Sequence, residues 1–391
     1  MKRILAIMLI FIISIMSLGC ATSKKEFLYY STLRFFNTDF SIRVYADKSK
    51  DGARIKNLFD NEMAQVAQEV ENLMSISVED SDISRYNSAK TGERVKIDSL
   101  TAQIINVALQ MYNLTNGAYN PAVAMSVDLW GFSPRFTDTT LTNTPMPYDR
   151  QRIDGEYTNL PSQEYTTAFQ SLCDLTGLSV EENEQNEFFI TKVCPSVVVN
   201  EVAYTQALDL GGIAKGYVVA KCGQILAENG FEYGLVSLGS SSLSLKSFFD
   251  TDVMKKADWK ISVASPNNRQ PVLYFKASNC DISTSGTYEK CYYVDNKEYC
   301  HIIDSKTGCP TTSEIVSATV CGVDAVQGDA LTTALCVMDL QTALDFVSKN
   351  LTNVQVILLT RDGEKFKAYT NIPSGEYQVE KSFISKTIQI A

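Results

Sequence analysis

Stretches of two hydrophobic periods are interleaved along this chain, and they do not alternate one for one. Residues 56–74 put Leu58, Met63, Val66, Val70, Leu73 and Met74 on one broad face at helical spacing, with Glu62, Gln65 and Glu69 elsewhere. Residues 101–116 repeat the pattern with Ile104, Ile105, Ala108, Leu109 and Tyr112, after Ser99 as a cap and before Asn116-Gly117 as a stop. A third helix is expected from about 212 to Asn229-Gly230, and two more over 329–338 and 340–350. Short apolar or alternating runs predict a strand pair over 29–45 turning around Asn37-Thr38-Asp39, then strands at 188–193, 234–237, 259–264, 272–276, 314–323 and 354–360. Several strands follow one another between the third and fourth helices. The regular βαβ unit of a parallel sheet is therefore absent, and the pattern predicts the α+β class. No solenoid-type repeat interrupts it.

The first residues read as a targeting segment rather than as fold. Lys2 and Arg3 precede an apolar run over 4–16 broken only by Ser14, and Ser17-Leu18-Gly19-Cys20 follows. This resembles the lipobox of bacterial lipoproteins, which implies acylation of Cys20. The expected organisation is a signal peptide over 1–19, a lipidated Cys and polar tether over 20–28, and the folded part over 29–391. The expected location is outside the cytoplasm, on the periplasmic or extracytoplasmic face of a bacterial membrane, held there by lipid. An uncleaved anchor and an ordinary secretory signal are the alternatives, and both also export the chain. No later stretch is long and apolar enough to span a bilayer. Residues 134–200, with Pro145, Pro147 and Pro161 and an acidic run over 181–187, read as a variable, insertion-like region with a helix near 165–175.

Composition excludes several functions. Hydrophobic residues at 45% and charged residues at 20% are ordinary for a globular chain. The net charge is −10, without any basic cluster, which disfavours nucleic-acid binding. Of ten Cys, none forms a CxxC pair, so no zinc site is indicated. Without Cys20 the number is odd, leaving at least one free thiol; most are expected to be buried and reduced. His301 is the only His, which excludes a His-rich metal site and a serine-hydrolase triad elsewhere.

Four short runs can carry chemistry. Asp209-Leu210-Gly211-Gly212-Ile213-Ala214-Lys215-Gly216-Tyr217 sets two glycines before a helix and a lysine in its first turn. Free N–H groups and the positive end of a helix dipole suit phosphate. A plain glycine turn is the alternative. In Gly328-Asp329-Ala330-Leu331-Thr332-Thr333-Ala334, helical spacing brings the Asp329, Thr332 and Thr333 oxygens to one face, a sparse hard-oxygen set that suits Mg²⁺. A helix cap by Asp329 is the alternative. A strand and turn over 301–310 places His301 where it could meet a ligand. The hydroxyl-rich turn 283–288 could shape a pocket.

DLGGIAKGY, STSGTYEK, HIIDSKTGCP and GDALTTAL occur in that order, preceded by DSDISRYN over 80–87 and by GAYNP leading to Leu129-Trp130-Gly131-Phe132. Together they resemble the FAD:protein FMN transferases of the ApbE family, over roughly residues 30–345. The resemblance implies a single T-fold-like domain with mixed and antiparallel sheets flanked by helices. It implies Mg²⁺-dependent transfer of the FMN half of FAD to a Thr or Ser hydroxyl of a flavoprotein, with AMP released. Acceptors would be subunits of membrane redox complexes of the Rnf or sodium-pumping NADH:quinone oxidoreductase type. It further implies FAD contacts at Asp209 and Lys215 and a flavin-binding stretch at Tyr119, Asn120 and Pro121. Flavin-pocket positions would be Ile303 and Phe36, and metal-site residues Gly212 (through its carbonyl), Asp329, Thr332 and Thr333. His301 is the candidate base and Lys215 adds fixed positive field. Asn120 stands where relatives carry Asp, Thr332 where Asp is frequent, Ser77 where an aromatic stacks on the flavin, and Leu238-Gly239-Ser240 where a Gly-Gly turn is usual. A magnesium-dependent FAD pyrophosphatase and a non-catalytic flavin-binding lipoprotein are the rival readings.

Overall fold

The computed structural model describes residues 25–133, 148–153 and 156–390; the expected signal segment, Cys20 and 134–147 lie outside them. Nine strands make one sheet: β1 (Lys25–Phe35), β2 (Thr38–Asp47), β3 (Gly234–Leu238), β4 (Ser242–Leu245), β5 (Asp281–Gly286), β6 (Ile315–Cys321), β7 (Gln355–Asp362), β8 (Lys365–Thr370) and β9 (Ile384–Gln389). They lie side by side in chain order, and every neighbouring pair is antiparallel except β8 with β9. The α+β class is thus observed.

Helices enter as excursions from this meander. Between β2 and β3 run α1 (Lys48–Asn57), α2 (Ala64–Met74), α3 (Asp82–Ser88), α4 (Ser99–Leu114), α5 (Ala124–Leu129), α6 (Gln163–Ser171) and α7 (Ala214–Glu228). Between β6 and β7 run α8 (Ala325–Val337) and α9 (Leu340–Asn350). Of these helices α1, α2, α7 and α8 pack on one sheet face. A small sheet of Trp259–Ala264, Pro271–Ala277 and Tyr377–Val379 belongs with the core on the other. On β7, Val356 and Leu358 enter the helix-side core while Ile357 and Leu359 enter the opposite one, as the two-residue period of a strand requires. All seven positions of β6 are buried, because both of its faces are covered. A third, aromatic core gathers Leu129, Trp130, Phe132, Phe169 and Tyr299 beside α6.

Several boundaries differ from expectation for local reasons. The first hairpin turns at Phe36-Asn37, both at positive φ (52° and 57°), one residue before the expected centre. The helix expected from 56 begins at Lys48, where Asp47 accepts from the Ser49 and Lys50 N–H groups, and passes through a π-helical turn at Leu58–Met63. Its first ten residues bury only Gly52 and Ile55, so hydropathy does not reveal them. Asp98, not Ser99, caps α4. β4, β5, β8 and β9 are additions to the expected strands, and most of the 283–288 run, expected as a turn, is strand β5. The described cysteines are all free thiols, with Cys280 and Cys321 Sγ atoms 3.5 Å apart.

Candidate functional site

The α7–α8 junction is the centre of the site. Asp324 caps α8, so this helix starts a full turn earlier than expected and Asp329 lies within it, buried. The capping alternative for Asp329 therefore does not apply to its own helix. Instead its Oδ2 accepts the Gly216 N–H at 2.8 Å and its Oδ1 the Ser242 hydroxyl at 2.9 Å. The N-terminal residue before α7, Ile213, supplies no side-chain cap, and the carboxylate of α8 occupies that role in the third position of α7. Lys215 Nζ stands 3.9 Å from Asp329 Oδ2 and donates to the Gly211 carbonyl at 3.1 Å. Part of the helix end expected to face phosphate thus faces Asp329.

Close packing makes this possible. A Cβ on Gly216 would lie 2.0 Å from the Ala325 carbonyl oxygen. A Cβ on Gly212 would be 3.5 Å from both Thr333 Oγ1 and Tyr119 Cε2, which places these three residues together. Thr333 is half-buried, and its hydroxyl donates to the Asp329 carbonyl at 3.2 Å. Thr332 is fully buried, its hydroxyl shared between that carbonyl and Ser285 Oγ, each at 2.9 Å. The helix thus turns Thr333, and not Thr332, toward the junction with Gly212.

The turn before α7 is held from outside. Asn87 on α3 donates to the Leu208 carbonyl at 2.9 Å and accepts the Leu208 N–H at 2.7 Å. Gln206 accepts from the buried Tyr86 hydroxyl at 2.7 Å. Asp209 receives the Gly211 N–H at 2.7 Å, and its own N–H donates to the Pro121 carbonyl at 2.7 Å. The DSDISRYN run therefore clamps the Gly-Gly turn rather than presenting groups of its own. Asn87→Ala is expected to lower stability by about 2 kcal/mol, because two backbone groups lose their partner. Urea unfolding measures this; a change within 0.5 kcal/mol, as at an ordinary surface site, would refute the clamp.

Tyr119-Asn120-Pro121 lines the same place. Asn120 spends its amide internally, donating to the Cys173 carbonyl at 2.9 Å and accepting the Ala122 N–H at 2.8 Å. It acts as the cap of a short 3₁₀ turn. The Tyr119 hydroxyl is buried with no partner among the described residues. Burial first, then the charges of Asp209 and Asp329, push its pKa up.

His301 Nδ1 lies 3.3 Å from the Lys290 carbonyl, so the proton belongs on Nδ1 and Nε2 is left as an acceptor. Its pKa is pushed down to about 4, by burial first and then by Lys290, with a smaller effect of Lys215. The ring is thus neutral at ordinary pH and within electrostatic reach of Lys215. It meets Phe132 edge-on at 6.5 Å.

Other expected residues lie further from this centre. Ile303 is buried in the aromatic core with Trp130. Phe36 is half-buried at the first hairpin turn, where its N–H donates to Glu71 Oε1 at 2.9 Å. Strand register puts that turn and the 239–241 turn at the end of the sheet where Ser285 lies, since Leu238 pairs with Phe40, Ser242 with Ser283 and Gly286 with Ser317. Ser77 is exposed. Ser285, from the hydroxyl-rich run 283–288, and Ser242, which the sequence did not single out, complete the site. No spacing rule links serines on β4 and β5 to a helix 40 or more residues later. Among the described residues, no group of three or more His, Cys, Asp or Glu forms a metal cluster.

Fold and site together define a class: an α+β protein with an oxygen-rich polar site where two helices meet one end of a largely antiparallel sheet. The chain belongs to the ApbE family, whose sequence model matches residues 36–358. It is 27% identical over 312 residues to the FAD:protein FMN transferase of Vibrio cholerae, covering 79% of this chain and 81% of that one. Against the protein of the same name from Escherichia coli it is 25% identical over 299 residues, covering 76% and 75%. In structure it resembles the flavin transferase ApbE from Vibrio cholerae, with TM-score 0.69, 24% identity and coverage of 89% and 97%. The apo form of Pseudomonas stutzeri flavinyl transferase ApbE also has TM-score 0.69, at 19% identity, covering 88% and 95%. These two likenesses establish the shared fold.

Proposed function

We propose that the chain is a FAD:protein FMN transferase, which moves the FMN half of FAD to a hydroxyl of an acceptor flavoprotein. Family membership over residues 36–358 carries this reading. The junction of Asp329, Thr333, Gly212 and Lys215, with a neutral His301 in electrostatic reach, is chemically suited to it. The acceptor hydroxyl oxygen bonds to the FMN-side phosphorus, the bond to the AMP oxygen breaks, and the hydroxyl proton passes to His301 Nε2. AMP leaves with the displaced oxygen.

Magnesium fits the donors present. The carboxylate of Asp329 and the hydroxyl of Thr333 are hard oxygens, the Gly212 backbone adjoins Thr333, and no thiolate or imidazole cluster competes among the described residues. Asp329 and Thr333 would hold the ion, with the Gly212 carbonyl. When bound, it neutralises charge on the pyrophosphate. Lys215 adds a fixed positive charge to the same place, and Ser242 and the Gly216 N–H keep the Asp329 carboxylate oriented. The acceptors favoured by family resemblance are subunits of Rnf- or Nqr-like redox complexes. Cys20 is the proposed lipid anchor on an exported chain.

Incubating the protein with FAD, Mg²⁺ and an acceptor domain, read by intact mass and AMP, tests the reading. An FMN-sized gain on the acceptor is expected; AMP and free FMN without labelling would instead establish the pyrophosphatase. His301→Ala is expected to slow transfer about 100-fold while FAD binding persists. Equal rates in both proteins would remove His301 as the base. The pH dependence has a fixed sign. Between about pH 4 and 6.5 an unfolded chain protonates His301 where the folded one does not. This residue's contribution to stability is therefore present above pH 6.5 and lost as pH falls through about 4.

A further inference from the structure

We infer that the Tyr119 hydroxyl is a hydrogen-bond donor to the pyrophosphate of FAD, and so helps select the phosphate half of the substrate. This rests on the flavin-transferase reading. Tyr119 is 3% exposed, and its hydroxyl has no partner among the described residues. Its position is tightly fixed: its N–H donates to Thr115 Oγ1 at 3.0 Å, and the Asn120 side chain and Pro121 carbonyl that follow are both bonded. The ring therefore has little freedom to seek a partner elsewhere.

A buried phenol without a partner is a penalty that Phe would avoid at nearly the same volume. The surroundings show where the missing partner belongs. The ring edge and Thr333 Oγ1 both approach the position of a Gly212 Cβ to 3.5 Å, so the phenol adjoins the oxygen-rich junction. Asp209 and Asp329 both act on the hydroxyl, yet neither accepts its proton. A phenol carries one O–H donor, and here that donor is left unused. Pyrophosphate oxygens are acceptors only, and the junction of Asp329, Thr333 and Lys215 is the part of the site whose chemistry matches them.

Tyr119→Phe keeps the ring and removes the donor. Calorimetric titration of wild type and variant with FAD, ADP and riboflavin in Mg²⁺, together with thermal unfolding of the ligand-free proteins, tests the inference. FAD and ADP affinities should fall about tenfold, riboflavin affinity should not change, and the ligand-free variant should melt at the same or a higher temperature. Unchanged affinity for FAD and ADP would overturn the assignment. So would a loss confined to riboflavin, or a lower melting temperature with equal losses for all three ligands, which mark a flavin contact and a packing role respectively. Wild-type protein that binds neither FAD nor ADP would overturn the flavin-transferase reading itself.

Discussion

Asp329→Ala should slow flavin transfer severely and weaken the fold at once. The carboxylate is the shared partner of the Gly216 N–H and the Ser242 hydroxyl, with Lys215 nearby. Removing it orphans two buried donors, which costs about 2–4 kcal/mol. It also removes the carboxylate that bonds the first turn of α7, and the transfer rate should drop by about 10³-fold. Asp329→Asn separates the two effects. It keeps the volume and one acceptor, so it should recover about half of the lost stability while transfer stays low. Urea unfolding and AMP release measure the two quantities. An Asn variant with wild-type turnover would show that the negative charge is not needed.

Gly216→Ala is the second large effect, and it acts through backbone. The added methyl would sit 2.0 Å from the Ala325 carbonyl oxygen, 2.5 Å from its carbon and 2.9 Å from Val326 Cα. None of these atoms can rotate away, so α7 and α8 must separate. Overpacking of this kind costs about 3 kcal/mol or more. The separation also pulls the Gly216 N–H from Asp329, so transfer should fall with stability. Gly52→Ala is the control: its Cβ would meet nothing nearer than 3.7 Å, and the residue lies within α1. That variant should be stabilised by about 0.5–1 kcal/mol. If Gly216→Ala proved as harmless as Gly52→Ala, α7 and α8 would not be in contact as described.

Much of the architecture was legible because it rests on local pattern. Residues 259–264 and 340–350 fall where the strand and helix periods place them. Errors gathered where local and tertiary forces part. α1 is polar on most of its surface and is set by the Asp47 cap. α8 is capped by Asp324 although Asp329 also suits a cap, since a sequence offers both and only the fold buries one. β8 and the rim strand β9 depend on their neighbours, with β9 lying parallel to β8.

The motif runs, their order and the family they point to can be read from the residues alone, since they depend on side-chain type and short-range spacing. Which of Thr332 and Thr333 faces Gly212, that Asp329 orients the start of α7, and that Asn87 grips Leu208 from 121 residues away could not be read in this way. Those contacts join segments far apart in the chain. They exist only once the nine-stranded sheet and the close α7–α8 packing have set the distances.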